Sequence, residues 1–242
     1  MPPFAPRPLR GLTGAARAVA GLAFPTLCLG CDRRVPPGAE SVPLCPACHR
    51  RLPRAEAPDV RARLAALPTG DVFERAAALW VYDSGGAVQR LQHTLKYRDR
   101  PTLGLALGRL LAGAVQEAFG AVRYDAVVPI PLARVRRLER GYNQSETLAE
   151  GLAAVWPDEP PVAPGLLVRT RPTRSQTTLS RARRWDNVDG AFATPDPGAV
   201  RGRHLLVVDD VLTTGATLTA AAQPLLDAGA TVDLATFALA AI

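Results

Sequence analysis

A run of eleven residues, from Val207 to Thr217, constrains the fold of this chain more than any other part of its sequence. The run reads Val-Val-Asp-Asp-Val-Leu-Thr-Thr-Gly-Ala-Thr. Residues 204–208 predict a buried strand, and the threonine-rich part leads into an amphipathic helix pattern. Backbone N–H groups at a turn and helix start, with Thr hydroxyls and the helix dipole, supply the several donors that a phosphate needs. Gly215 lets the backbone approach such a group closely, so the run predicts a phosphate cradle.

Two consecutive carboxylates stand between the predicted strand and this cradle. Asp209 and Asp210 are expected just outside the carboxyl end of the strand, where ligands bind in open α/β sheets. Carboxylates there accept hydrogen bonds from vicinal hydroxyls or hold Mg²⁺, so a sugar phosphate satisfies both halves of the run. Two alternatives each explain one half: a receiver-type metal pocket, or a plain helix N-cap at Thr-Thr-Gly. The chain contains neither GxxxxGK[ST] nor GxGxxG, which leaves P-loop and Rossmann folds without support.

The four cysteines form two CxxC pairs, Cys28 with Cys31 and Cys45 with Cys48, separated by 13 residues. Pairs at this spacing bring four thiolates to tetrahedral corners, the arrangement of closed structural Zn²⁺ sites. An iron–sulfur centre and disulfides are the alternatives, and a cytoplasmic location disfavours the disulfides. Since four cysteines complete the site, His49 is predicted to be a surface residue and the metal to have no catalytic role.

Charge and composition divide the chain. Of a formal net charge of +7, residues 1–69 carry ten basic and four acidic side chains, and residues 70–242 carry 19 and 18. The excess suggests an anionic partner, nucleic acid or phosphate, although an Arg-rich chain with a single lysine, Lys96, can also reflect a GC-rich genome. The predicted domains are an N-terminal helix or tail (1–24), a zinc-binding module (25–55), a Pro- and Arg-rich linker (56–69) and a main domain (70–242).

The apolar stretch 9–24 is interrupted by Arg17 and three glycines, and no uncharged apolar stretch approaches about 18 residues. We therefore expect a cytoplasmic protein without a membrane span.

In the main domain, apolar β-rich segments alternate with helical patterns. The predicted strands are 78–82, 126–130, 166–168, 205–208 and 232–239. The predicted helices are 87–96, 103–119, 144–155 and 216–228. Such alternation predicts an α/β fold with a mainly parallel sheet and helices on both faces.

Several further motifs accompany the phosphate run. They are 95–98 (Leu-Lys-Tyr-Arg), 128–132 (Val-Pro-Ile-Pro-Leu), 137–144 (Arg-Leu-Glu-Arg-Gly-Tyr-Asn-Gln), 169–173 with Gln176, 184–188 and 190–192. In content and order, and together with the cysteine pairs, they resemble the ComF family of competence-associated proteins across essentially the whole chain. The phosphate run itself resembles the signature of type I phosphoribosyltransferases, which bind 5-phosphoribosyl-1-pyrophosphate.

The resemblance implies a zinc module joined to a type I phosphoribosyltransferase fold, and it assigns roles to individual residues. Asp209 and Asp210 would contact the ribose hydroxyls and are the catalytic candidates. The residues implied to hold the 5′-phosphate are Thr213, Thr214, Gly215, Ala216 and Thr217.

A pyrophosphate loop is implied after the strand at 126–130, with Pro131, Leu132 and Arg134. Asn143 and Gln144 are further candidates there, although Asn143 could simply cap its helix and Gln144 lie exposed. The segment 171–184 would be a loop that closes over the site. Its arginines suit pyrophosphate but equally suit a solvated charged face; they are Arg171, Arg174, Arg181 and Arg183.

Four functions remain open. The first is a competence protein of natural transformation that binds single-stranded DNA and a phosphoribosyl pyrophosphate-type ligand. Its stacking candidates, each individually more typical of a core, are Tyr97, Tyr142, Trp156 and Trp185. The second is an active phosphoribosyltransferase of nucleotide salvage that uses Mg²⁺ and a nucleobase. The third is a ligand-sensing scaffold that docks a competence helicase, and the least favoured is a transcriptional regulator, since no helix-turn-helix is recognisable.

Overall fold

A computed structural model describes residues 26–35, 41–66, 72–97, 100–171, 188 and 190–240. The chain divides into two compact units, Met1–Arg50 and Arg51–Ile242. The predicted N-terminal helix or tail lies outside the described residues. Within these ranges, no helix combines the length and apolar character that a bilayer crossing requires.

The first unit is organised around its cysteines. An antiparallel bridge joins Leu27 to Arg34, and the short helix α1 (Pro46–Arg50) carries Cys48. In the part of this unit that the structure describes, the buried hydrophobic side chains are those of Cys28, Val35 and Leu44. This is a small apolar core, so a metal ion bound by the cysteines would add to the stability of the described part.

The second unit contains the remaining described helices and strands. Its helices are α2 (Ala57–Ala65), α3 (Ala87–Tyr97), α4 (Pro101–Phe119), α5 (Arg134–Arg140), α6 (Gln144–Ala153) and α7 (Ala216–Asp227). Its strands are β1 (Ala76–Tyr82), β2 (Ala126–Pro129), β3 (Val168–Arg169), β4 (Phe192–Ala193), β5 (His204–Leu212) and β6 (Thr231–Ala240).

Four strands form a parallel sheet in the order β1-β6-β5-β2. These correspond to four of the predicted strands, and the predicted parallel α/β sheet is confirmed. The predicted strand 166–168 is wrong as a member of this sheet: residues 164–166 form a 3₁₀ turn, and β3 pairs antiparallel with β4. Three apolar residues in a row fit either arrangement, so their periodicity could not separate the two.

Two helices of the second unit were not predicted. Helix α2 lies inside the segment interpreted as a linker, and its one buried residue is Val60. Helix α5 buries no residue at all. A helix without an apolar stripe leaves no hydrophobic period in the sequence, which is why both escaped detection.

Helices cover the two faces of the parallel sheet, as predicted. On one side, Ala78 of β1 and Val207 of β5 share a buried cluster with Val60 of α2 and Leu225 of α7. Helices α4 and α6 pack against each other and on the sheet. Since alternate residues of a strand point to opposite faces, the neighbouring buried Val208 faces this second layer.

Glycines allow α4 and α6 to approach closely. A Cβ on Gly151 would lie 2.1 Å from the carbonyl oxygen of Leu105, and a Cβ on Gly108 would lie 2.1 Å from that of Leu148. Both obstacles are backbone atoms, which cannot rotate away. The close approach positions the N-terminus of α6 beside the carboxyl ends of β2 and β5.

We therefore expect Gly151→Ala to lower the free energy of unfolding by about 3 kcal/mol, because the added methyl group forces the helices apart. Urea unfolding followed by circular dichroism measures this change. Gly113→Ala is the matched control: this glycine of α4 is exposed and has no atom within 4 Å of the position that a Cβ would take, so alanine should stabilise the helix by roughly 0.5–1 kcal/mol. Equal effects of the two substitutions would contradict the proposed packing constraint.

Candidate functional site

The acidic pair lies within β5 and not beyond its end, which corrects the sequence-based placement. Strand β6 continues to pair with β5 at Asp209 and Val211, whereas β2 stops at Pro129, opposite Val208. Asp209 therefore has a strand neighbour on one side and an open position on the other. The break in the sheet creates the space for a ligand at the carboxyl ends of the strands.

Asp209 is half-buried, and its Oδ1 accepts a hydrogen bond of 2.8 Å from the Ser145 hydroxyl at the start of α6. Burial and the negative charge of Asp210 raise the pKa of Asp209 to about 7, against the opposing effect of Ser145. This carboxyl group therefore changes charge near neutral pH.

Asp210, in contrast, is kept in its charged form by two side chains of helix α3. Lys96 Nζ lies 2.5 Å from Asp210 Oδ2, and Gln92 Nε2 donates to the same oxygen at 3.1 Å. Burial raises the pKa of Asp210, but Lys96 and Gln92 outweigh burial, and the pKa lies below its ordinary value. Two adjacent carboxyl groups thus have different proton affinities because they face different helices.

The raised pKa of Asp209 predicts how the ligand-free protein responds to pH. Between the ordinary value of 3.8 and about 7, the folded protein binds a proton at Asp209 that the unfolded chain has released. Its stability therefore falls, relative to an Asp209→Asn variant, as pH rises through this interval. Unfolding free energies at several pH values measure the difference, with the exposed Asp158→Asn as control. If the unfolding free energies of wild type and Asp209→Asn change with pH in the same way, the pKa of Asp209 is not raised.

The phosphate-cradle candidates follow the acidic pair directly. Strand β5 ends at Leu212, Gly215 adopts a left-handed φ of +75°, and α7 begins at Ala216. The first backbone N–H groups of a helix have no partner within it, so that of Ala216, the first residue of α7, can serve a ligand. The Thr214 hydroxyl is buried without a hydrogen-bond partner among the residues described. This hydroxyl is therefore able to donate a hydrogen bond to a ligand.

A cavity of about 350 Å³ joins the acidic pair to this turn. Its lining residues are Tyr82, Gln92, Lys96, Asp209, Asp210, Val211, Thr213, Gly215, Thr217, Leu218 and Ala240. Of the cradle candidates, Thr213, Gly215 and Thr217 line it, and Ala216 is buried. The dimensions and donors of the cavity fit a sugar phosphate.

Arg63 of α2 braces the cradle and was missed by sequence reasoning. Its guanidinium donates to the carbonyl oxygens of Thr213 at 2.7 Å and Ala240 at 2.6 Å. One cation thus links the turn after β5 to the end of β6. No local sequence signal marks this role, since Arg63 is 150 residues from Thr213.

We expect Arg63→Gln to destabilise the protein by about 2 kcal/mol, because hydrogen bonds from a charged donor are lost and two carbonyl groups lose a partner. The amides that follow Leu212 should exchange their hydrogens faster in this variant than in wild type. Arg61→Gln, an exposed residue of the same helix, should change the stability by less than about 0.5 kcal/mol. An Arg63→Gln protein as stable as this control would show that the brace is dispensable.

The pyrophosphate-loop candidates line a second cavity, of about 550 Å³. Pro131, Leu132 and Arg134 are in its wall, and its other cations are Arg137, Arg169 and Arg171. Glu146 is its acidic member and pairs with Arg137 at 2.9 Å. Four arginines and one carboxylate leave this cavity suited to an anion.

The start of α6 connects the two cavities. Asn143 caps the helix by accepting from the Ser145 backbone N–H at 3.2 Å, and its Nδ2 donates to the Ile130 carbonyl oxygen at 2.9 Å. Gln144 is buried, contrary to the exposed alternative. Its Oε1 accepts from Arg140 at 2.9 Å, and its Nε2 is buried without a partner in the described ranges. One helix start therefore holds both Asp209 and the turn after β2.

Three further residues of the site were not identified from the sequence: Lys96, Ser145 and Arg169. Lys96 is the one lysine of the chain and falls in the 95–98 motif, while Ser145 directly follows the 137–144 motif. Arg169 stacks over the Phe192 ring at 5.0 Å. Burial lowers the pKa of Arg169, and the Asp209 carboxylate acts against this. Lys96 and Arg169 belong to motifs and Ser145 adjoins one, which was the available signal for these residues.

The aromatic stacking candidates have different environments. Trp156 is buried, and its Nε1 donates to Val122. Tyr142 is half-buried and donates to the Leu95 carbonyl oxygen, whereas Tyr97 is exposed. Trp185 and almost all of the predicted closing loop, residues 172–184, lie outside the described residues.

The four cysteine sulfurs lie within 4.8 Å of one another, and none is in a disulfide. Cys31 and Cys45 are 3.8 Å apart, which matches the edge of about 3.8 Å expected for a tetrahedron of Zn–S bonds of about 2.3 Å. A Cβ on Gly30 would lie 2.7 Å from the Cys48 sulfur, so this turn requires glycine. The cluster could hold a metal ion and is consistent with structural zinc.

Hydrogen bonds prepare one of these sulfurs for a metal. The Cys28 sulfur accepts backbone N–H groups of Gly30 at 3.3 Å and Cys45 at 3.2 Å. Burial raises the pKa of Cys28, but these donors outweigh burial and lower the pKa to about 6. His49 is exposed, as predicted.

A parallel β1-β6-β5-β2 sheet flanked by helices, with the phosphate run at the end of β5, defines a type I phosphoribosyltransferase fold. In agreement, a family model described as "Phosphoribosyl transferase domain" matches residues 160–241.

Proteins of similar sequence match this chain beyond the region that the family model covers. The DNA utilization protein YhgH of Escherichia coli (strain K12) is 34% identical over 229 residues, which cover 91% of this chain and 92% of that protein. The competence protein ComFC of Bacillus subtilis (strain 168) is 35% identical over 117 residues, 48% of this chain and 45% of that protein. The chain belongs to the ComF family of phosphoribosyltransferase-like proteins, which confirms the resemblance found in its motifs.

Among solved structures, the glutamine phosphoribosylpyrophosphate amidotransferase of Bacillus subtilis complexed with ADP and GMP is 26% identical to this chain. The matched region covers 54% of this chain and 25% of the amidotransferase chain, with a TM-score of 0.36.

Proposed function

We propose that this protein acts in DNA uptake during natural transformation, in the cytoplasm, and binds both single-stranded DNA and a phosphoribosyl pyrophosphate-type ligand. The observation that carries the ligand part of the proposal is the cavity lined by Asp209, Asp210, Thr213, Gly215 and Thr217. The names of the relatives, a DNA utilization protein and a competence protein, support the role in DNA uptake.

The chemistry of the first cavity suits the ribose 5-phosphate part of the ligand. Asp209 and Asp210 would accept hydrogen bonds from the vicinal hydroxyls. The 5′-phosphate would accept a hydrogen bond from the hydroxyl of Thr214, which has no partner among the described residues. It would also accept hydrogen bonds from backbone N–H groups at the start of α7. Mg²⁺, a cation that prefers oxygen ligands, would neutralise the pyrophosphate when it is bound with the ligand.

The pyrophosphate part would face the second cavity. Arg134, Arg169 and Arg171 supply positive charge there, and planar guanidinium groups bind phosphates in pairs of hydrogen bonds. Asn143 would act as a positioning residue, because it holds the Ile130 carbonyl and with it the turn that carries the pyrophosphate-loop candidates.

The metal of the cysteine cluster is proposed to be zinc, in a structural role. Four thiolates leave no coordination position for a substrate, and the few buried apolar side chains in the described part of the first unit support a stabilising role for the metal.

Gel retardation of labelled single-stranded oligonucleotides at increasing salt tests the DNA-binding proposal. We expect retardation at low salt that weakens as salt rises, because Lys and Arg side chains displace counterions from the phosphates. A duplex of the same sequence is the control for strand preference. Absence of retardation at the lowest salt would overturn this part of the proposal.

An active phosphoribosyltransferase of nucleotide salvage is the second candidate, favoured by the presence of both a phosphate cradle and a separate arginine-lined cavity. Pyrophosphate would leave from C1 of the ribose while the nucleobase nitrogen forms the new bond, and positioning would supply most of the catalysis. The assay is pyrophosphate release from phosphoribosyl pyrophosphate with Mg²⁺ and a panel of nucleobases. If pyrophosphate is released with none of the bases, the transferase activity is contradicted, whereas the proposed ligand binding is not affected by this result.

A further inference from the structure

Helix α3 presents two adjacent stripes of side chains. Gln92 and Lys96, four residues apart, reach Asp210 in the first cavity. His93 and Tyr97 each follow one position later, and both are exposed. Since residues four apart lie on one face of a helix, α3 contributes one stripe to the cavity and shows the next to solvent.

Tyr97 stands out on this outer stripe. Among the Phe, Tyr and Trp side chains within the described ranges, Tyr97 is the exposed one, with 58% of its surface accessible. A single exposed ring is common on protein surfaces, so the neighbours of Tyr97 decide whether it forms an interaction site.

Two neighbours hold the Tyr97 ring in place. The His93 ring lies 4.8 Å from it at an angle of 41°, and the Arg140 guanidinium lies 5.3 Å from its centroid. Arg140 is in turn fixed by its 2.9 Å hydrogen bond to Gln144. A ring ordered before binding loses less conformational entropy when a second ring stacks on it.

The charge around Tyr97 is positive. The Arg140 guanidinium lies over its ring, and helix α3 contributes Arg90 and contains no acidic residue, while its Lys96 is paired with Asp210 in the cavity. Arg90 is exposed and lies on the same stripe, three residues before His93. On neighbouring α5, Glu139 is paired with Arg136 at 3.0 Å. An aromatic ring among cations complements a polyanion with planar groups.

We infer that the exposed stripe of α3 formed by Arg90, His93 and Tyr97 is a base-stacking platform for single-stranded DNA, located next to the phosphoribosyl cavity. A base stacks on the Tyr97 ring, and Arg90 contacts the adjoining phosphate. The inference rests on the DNA-binding part of the proposed function and names the surface that carries it. A peptide partner fits this stripe less well, since the stripe offers one phenol ring, one imidazole and one guanidinium and no continuous apolar surface.

The test measures binding of a fluorescein-labelled oligo(dT) by anisotropy. Tyr97→Ser should weaken binding roughly 5- to 150-fold, the equivalent of about 1–3 kcal/mol per stacked base. Tyr97→Phe keeps the ring and should stay within about 2-fold of wild type. Arg90→Gln should lower the slope of log affinity against log salt by about 0.7, the value for one phosphate contact in a single strand.

Calorimetric titration with phosphoribosyl pyrophosphate in the same variants shows that the fold and the neighbouring cavity are intact, since Tyr97 does not line that cavity. If wild type fails to bind the oligonucleotide, the proposed function is wrong in its DNA-binding part. If wild type binds but Tyr97→Ser binds equally well, the platform is wrong and the proposed function stands. His93→Ser provides a second variant on the same stripe should Tyr97→Ser fold poorly, and an unchanged affinity there would equally overturn the inference.

Discussion

Replacement of both Asp209 and Asp210 by asparagine is expected to weaken binding of phosphoribosyl pyrophosphate by at least roughly 100-fold. Each substitution keeps the shape of the side chain and removes its charge. Two charge-assisted hydrogen bonds of about 1.5–3 kcal/mol each are lost or weakened, and every 1.4 kcal/mol corresponds to about tenfold in affinity. Isothermal titration calorimetry in the presence of Mg²⁺ measures the change.

The matched control for this variant is a double substitution of exposed acids, Asp158→Asn with Asp227→Asn, which changes the net charge equally and lies away from the cavity lining. The control should bind like wild type. If the Asp209/Asp210 variant also binds like wild type, the cavity at the end of β5 does not bind the ligand. Loss of binding in the variant alone would establish a functional pocket.

Removal of the proposed metal ligand Cys28 is expected to unfold the first unit. Zn²⁺ contributes about 10–16 kcal/mol to the folding of zinc-finger peptides, and the described part of this unit offers Cys28, Val35 and Leu44 as its buried apolar side chains. A Cys28→Ser protein should therefore lose its zinc, of which wild type should bind about one per chain, and become sensitive to proteases before Arg51. Elemental analysis and limited proteolysis measure the two effects.

His49 provides the control for this substitution, because it directly follows Cys48 and is exposed. His49→Ala should retain zinc if the four cysteines are the ligands. Loss of zinc in His49→Ala would show that histidine replaces one of the cysteines. Visible absorption and iron in the purified wild type would instead identify an iron–sulfur centre and contradict zinc.

The acidic pair, the phosphate turn and the cysteine pairs could all be recognised in the sequence because each is local. Asp209 and the turn ending at Thr217 are within nine residues of each other, and their functional groups are brought together by one strand, one turn and one helix start. The parallel sheet was predictable for the same kind of reason, since strands buried on both faces read as continuous apolar segments.

The states of the two carboxyl groups depend on contacts across long sequence distances. Ser145 is 64 residues from Asp209, and Gln92 is 118 residues from Asp210. Packing of α3 and α6 brings these side chains to the end of β5, and no hydrophobic period or local motif specifies which carboxylate receives the cation. The extension of β5 through Asp210 likewise depends on continued pairing with β6.

Local chemistry therefore sufficed to propose which residues bind a phosphoribosyl ligand and which hold a metal. The bracing of the phosphate turn by Arg63, the burial of Gln144 and the exposure of Tyr97 beside Arg140 became known from the folded structure. Each of these depends on where a helix packs, and close approaches such as that of Gly151 to Leu105 set this position through contacts between segments far apart in the chain.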